Sequence, residues 1–197
     1  MSKQDLMKAI VAEVITCRTC ELWRQRSNPV PGEGNVDAAM IFIGEAPGYS
    51  EDVKGRPFVG AAGKLLDELL SEIGLSRGDI YIANVLKCRP PENRDPSSDE
   101  VAACTPFLDR QIQIIGPKLI VTLGRHATSY ILSKAGFPVE GITELHGRTF
   151  TTRLLGLQVT VIPTFHPAAA LYNVKYKRGL EDDFQIVKFK LEKLGEL

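Results

Sequence analysis

Four short, mostly apolar runs punctuate the chain: Ala39-Met-Ile-Phe-Ile43, Ile80 to Val85, Leu119 to Leu123 and Val159 to Ile162. Near-continuous apolar runs read as strands covered on both faces, because a half-exposed strand would alternate apolar and polar positions. Between the runs the period lengthens. Leu65, Leu66, Leu69, Leu70 and Ile73 fall on one helix face, and so do Val101, Phe107, Leu108, Ile112 and Ile115. Lys3 to Ile15 predicts an opening helix that ends at the turn Cys17-Arg-Thr-Cys20, and a last helix is expected from about Leu180 to Leu194. Strands alternating with helices predict an α/β fold. The expectation is a single domain over residues 1–197 with a central, mostly parallel four-stranded sheet flanked by helices. There is no internal repeat, low-complexity tract or linker.

In such sheets ligands bind beyond the carboxyl ends of the strands. The segments at those ends are Gly44-Glu-Ala-Pro-Gly48, Asn84 to Cys88, Gly124-Arg-His126 and Thr164-Phe-His-Pro167. They are the candidates to converge on a site.

Composition narrows the class without naming it. Hydrophobic residues make up 44% of the chain and charged residues 24%, and Lys plus Arg equal Asp plus Glu at 24 each. Bulk charge therefore does not advertise a nucleic-acid partner. Phosphate contacts would have to come from a local patch such as Lys175-Tyr-Lys-Arg178. No apolar stretch approaches the roughly 20 residues needed to span a bilayer, and Asp5, Lys8 and Glu13 interrupt any signal-peptide pattern. A cytoplasmic protein without a membrane partner is expected.

In that compartment cysteines are more often metal ligands or free thiols than disulfides. Cys17 and Cys20 form a C-x2-C turn, which aims two thiolates at one centre, and Cys88 and Cys104 can complete a four-thiolate set. Spacing leaves zinc, an iron–sulfur centre, unpaired thiols and disulfides all open. The Gly-rich turns Gly44 to Gly48 and Gly60-Ala-Ala-Gly63 match neither G-x-G-x-x-G nor G-x4-G-K-[ST], which excludes the usual phosphate-binding loops.

Taken jointly, Gly44-Glu-Ala-Pro-Gly48 with Glu51, Gly55-Arg-Pro-Phe-Val-Gly60, Ile82-Ala-Asn-Val-Leu-Lys-Cys88 and His166-Pro-Ala-Ala169 resemble the family 4 uracil-DNA glycosylases, in order and over nearly the whole chain. The resemblance implies excision of a flipped-out uracil from single- or double-stranded DNA, by a monomer. It also implies a [4Fe–4S] cluster on Cys17, Cys20, Cys88 and Cys104. Phe58 would stack on the uracil, Asn84 would hydrogen-bond its N3 and O4 edge, and the backbone of Gly44, Glu45 and Ala46 would approach the base. His166 would stand at O2 and Glu51 near C5. An amide offers both the donor and the acceptor that the uracil edge requires, and a flat base needs a π-face.

The catalytic set expected on this basis is His166, Asn84 and Glu45. Where better-known relatives carry an Asp, this chain has Ala46, so stabilisation of the departing uracil anion should dominate, with Glu45 as the candidate aid to water. Leu171 and Tyr172 are candidates for a wedge into the duplex, beside phosphate contacts from Lys175 and Arg178. His126 and His146 are read as structural, and Trp23 as packing near the cysteine turn. The alternatives are an iron–sulfur redox or electron-transfer protein, a non-catalytic damaged-DNA-binding module, and a related glycosylase of broader base range.

Overall fold

The computed structural model describes all 197 residues. In chain order the elements are α1 (Lys3–Thr16), β1 (Glu33–Gly34), β2 (Met40–Gly44), α2 (Tyr49–Lys54), α3 (Ala61–Glu72), β3 (Tyr81–Asn84), α4 (Ser98–Ile115), β4 (Leu119–Leu123), α5 (Arg125–Lys134), α6 (Ile142–Leu145), β5 (Phe150–Leu154), β6 (Leu157–Thr164), α7 (Pro167–Ala170) and α8 (Val174–Leu194). The α/β reading holds, and the four apolar runs form the parallel centre, in the order β3-β2-β4-β6.

The sheet nevertheless has six strands, not four: β1 and β5 add antiparallel edges. Neither carries the apolar signature. β1 is two residues long, and β5 alternates half-buried and exposed positions as a strand with one wet face does. The last helix also begins six residues earlier than the expected Leu180, at Val174, where the Asn173 side chain accepts hydrogen bonds from the Lys175 and Tyr176 amides at 2.9 and 3.4 Å. The basic run Lys175 to Arg178 is therefore the first turn of α8 and not part of a loop.

Alternation along the central strands explains their apolar runs. Ile41, Ile43 and Ile120 face one core with Leu108 and Ile112 of α4 and Ile131 of α5. Met40, Phe42 and Val121 face the other with Leu66 and Leu69 of α3 and Phe184 of α8. Both faces are covered, so no strand position needs to be polar. No helix is long and apolar enough to cross a membrane.

Chain order places β3 on one side of β2 and β4 on the other. At such a reversal the flanking connections leave in opposite directions and open a crevice at the carboxyl ends. Asn84, the segment after Gly44, and Gly124 all lie there.

One helical glycine is held by packing. A Cβ on Gly63, in the first turn of α3, would lie 1.7 Å from the Phe58 carbonyl oxygen. Helix propensity alone would favour Gly63→Ala by roughly 1 kcal/mol, but a backbone clash of this depth outweighs it. We expect Gly63→Ala to lower the midpoint of thermal unfolding by several degrees. Gly78→Ala, where a Cβ meets only Ser76 Oγ at 3.6 Å, should leave it unchanged. Equal midpoints in calorimetry would refute the close-approach argument.

Candidate active site

Three of the four strand-end segments, with Phe58 and Ala62, line one cleft of about 320 Å³ at the carboxyl edge of the sheet, among them Glu45, Glu51, Phe58, Asn84, Asn93 and His166; Gly124 to His126 do not line it. Phe58 forms part of its wall. The residue is only 5% exposed and takes a left-handed backbone, φ 50°, which a bulky side chain adopts only when its surroundings impose it. The Arg77 guanidinium donates to the carbonyls of Pro57 and Phe58 and so holds the segment from behind. Glu51 grips the next two residues: its Oε1 accepts from the amides of Val59 and Gly60 at 2.8 and 3.0 Å.

Gly44 lets these parts meet. A Cβ there would fall 2.4 Å from Asn84 Oδ1 and 2.8 Å from the Phe58 ring, so only glycine allows the strand end to touch both. Asn84 closes β3 and is 2% exposed, and its Oδ1 has no hydrogen-bond partner. A buried acceptor without a donor is rare, and leaving one unsatisfied costs about 1–3 kcal/mol.

His166 stands across from Phe58, with the two rings stacked at 5.8 Å between centroids. Burial pushes its pKa down to about 4, against a smaller opposing pull from Glu51, so the ring is neutral at pH 7. Its Nδ1 accepts from the Ala168 amide at 3.1 Å. That bond assigns the tautomer: the proton sits on Nε2, which is left as a donor.

Several groups near the cleft escaped the sequence reading. Pro90, Asn93 and Arg94 line it from the loop after β3, which the strand-end rule reached only as far as Cys88. Arg94 is fixed by Glu100 at 2.9 and 2.6 Å, and Asn93 Oδ1 accepts from Arg89 at 2.8 Å. His126, read as structural, places Nε2 3.8 Å from Glu45 and 3.3 Å from Asp95. Glu45 does line the cleft, and burial raises its pKa, with His126 opposing.

The four cysteines, unpaired by disulfides, surround a second pocket together with Trp23, whose ring lies beneath the guanidiniums of Arg18 and Arg24. Cys88 Sγ accepts from Arg26 and Cys104 Sγ from the Lys87 amide, both at 3.1 Å. Burial pushes the Cys104 thiol up to about 12 and the Cys88 thiol upward as well, so neither is a ready nucleophile on its own. Lys87 joins the two pockets. Its buried ammonium donates to the Asn84 carbonyl at 2.9 Å and to Gln111 Oε1 at 2.7 Å, and burial pulls its pKa down to about 8.

The residues read as DNA contacts lie on the surface, none of them lining the cleft. Leu171 is 42% and Tyr172 90% exposed in the turn between α7 and α8, and Lys175 and Arg178 are exposed on the turns that follow.

Comparison with known proteins shows the family. Residues 31–185 match the uracil DNA glycosylase superfamily. A type-4 uracil-DNA glycosylase of Sulfurisphaera tokodaii is 54% identical over 93% of this chain and 84% of its own length. One of Saccharolobus solfataricus is 53% identical over 93% and 86%, and one of Archaeoglobus fulgidus 47% over 95% and 91%. With the family match spanning the sheet and the cleft, and such identity sustained along almost the entire length, the chain belongs to the uracil-DNA glycosylase superfamily and, within it, to the type-4 enzymes.

Proposed function

We propose that this protein, as one domain over residues 1–197, removes uracil from DNA by hydrolysing its N-glycosidic bond. The carrying observation is the orphaned Oδ1 of buried Asn84 in a cleft walled by Phe58 and His166. A uracil in the cleft would donate its N3–H to that oxygen and accept at O4 from Nδ2, which completes both halves of the amide. A buried group that goes unpaired without its ligand also rejects bases whose edge cannot pair with it.

Reaching the bond requires the nucleotide to leave the helix. Tyr172 and Leu171, exposed in the turn after α7, would fill the vacated stack, and Lys175 and Arg178, exposed on α8, would meet the phosphates. As the C1′–N1 bond breaks, its electron pair passes to uracil and negative charge collects at O2. Neutral His166, through Nε2–H, stabilises that charge without a proton transfer. Water completes the reaction at C1′, and the proton it loses passes through solvent to the departed uracil anion, so that the products are the abasic sugar and neutral uracil. Ala46 supplies no carboxylate, whereas Glu45 lies in the cleft to favour the sugar cation and the water. Glu51, which lines the cleft, would crowd a methyl at C5.

Cys17, Cys20, Cys88 and Cys104 would hold a [4Fe–4S] cluster. In support, all four cysteines are free of disulfides and line one pocket, as a shared four-thiolate site requires. N–H donors to two of the sulfurs suit a cluster, whose charge such bonds stabilise. When bound, the group serves as a cross-link of the α1 end and the segment after Asn84.

The function is tested with oligonucleotides carrying one uracil, thymine or hypoxanthine, followed by alkaline cleavage of abasic sites. Uracil alone should be excised. Asn84→Ala should slow single-turnover excision by on the order of 10²-fold or more, yet should not lower thermal stability, because it removes an unsatisfied buried acceptor. Tyr172→Ala should slow excision from duplex far more than from single strands. Full activity of Asn84→Ala would sink the assignment.

The pH profile follows from His166. Its folded pKa, about 4, lies below the ordinary value of 6.5. The unfolded chain therefore takes up this proton first, and stability from this group is lost as pH falls from 6.5 toward 4. Single-turnover excision should show no inflection near pH 6.5 from this residue. An inflection there that His166→Gln abolishes would contradict the neutral donor.

Anaerobically purified protein should contain iron and acid-labile sulfide, about four of each per chain. One zinc per chain with no sulfide would refute the cluster.

A further inference from the structure

Behind His166, away from the cleft, lies a titratable pair that the reaction does not use. Asp183 of α8 is 1% exposed, and its carboxylate accepts from His146 Nδ1–H at 2.9 Å, with the second oxygen at 3.2 Å. The His146 ring packs on Phe165 with centroids 4.1 Å apart, and Phe165 stacks on Tyr176 of α8 at 4.7 Å. The backbone of α8 presses on the same ring, since a Cβ on Gly179 would come within 2.7 Å of it. Phe165 immediately precedes His166.

A buried ionic pair is poor ground for stability. Desolvation of the charges offsets their attraction, and burial pushes Asp183 up to about 6 despite the histidine beside it. Apolar side chains would fill this space at less cost. What the pair supplies is direction: three elements, the end of α6, the end of β6 and α8, are registered against one another at the residue before the oxyanion donor. A hydrogen-bond donor must stay within a few tenths of an ångström of the developing charge to be effective, and a misplacement of 1 Å costs on the order of 10²-fold in rate.

We propose that Asp183 and His146 are positioning residues for His166, clamping Phe165 so that the Nε2–H of the next residue is held at the uracil O2 position. The proposal rests on His166 being the group that stabilises the departing uracil.

A double-mutant cycle tests it in the holoprotein. Asp183→Asn and His146→Gln should each slow single-turnover excision by about 10- to 100-fold, while affinity for an uncleavable 2′-fluorinated uracil duplex changes by less than about twofold. In a His166→Ala background neither should slow the reaction further, because the group they position is gone. The same proportional slowing in both backgrounds, or no slowing in the parent, would overturn the proposal. If His166→Ala itself leaves the rate intact, the reading of His166 fails instead, which is a different result. His146 is 28% exposed in its side chain, so His146→Gln completes the cycle should Asp183→Asn not fold.

Discussion

The cleft depends on close approach of backbone to side chain at the carboxyl edge of the sheet. Gly44 ends β2 against Asn84 Oδ1 and the Phe58 ring, and Gly63 starts α3 against the Phe58 carbonyl. A methyl group at either place would push the aromatic wall from the Asn84 amide. Around this contact every other feature is a brace. Arg77 and Glu51 hold the Phe58 segment in its left-handed backbone, and Lys87 holds the Asn84 carbonyl.

The site is poised by what it leaves unsatisfied. An amide oxygen without a donor and a histidine stripped of its proton by burial both destabilise the free protein slightly. A donor entering the cleft would satisfy the first, and the second leaves Nε2–H free to donate while the ring stays neutral.

The four cysteines stand apart from this chemistry but not from its geometry. Cys88 lies four residues beyond Asn84, and Lys87 between them is hydrogen-bonded to Asn84, to Gln111 of α4 and, through its own amide, to Cys104. Whatever fixes the cysteines fixes the end of β3. A group bound there would need no redox chemistry to matter for the shape of the cleft.

Much was legible in the sequence because it is local or periodic. Both-faced burial leaves apolar runs, so the four central strands and their parallel arrangement could be read directly, and the strand-end rule led to Gly44, Asn84 and His166. The edges could not be read. β1 is too short to carry a pattern, and β5 alternates weakly because one face is wet. The start of α8 depends on a single cap, Asn173, which no periodicity announces. Tertiary structure alone decided that Asn84 would be left without a donor, that His166 would be neutral with its proton on Nε2, and that His126 would come beside Glu45. It also brought Asp183 under Phe165. These are properties of burial and of contacts between residues distant in the chain. Sequence determines which groups are available; desolvation and packing, which exist only once the layers close, determine their charge and what they face.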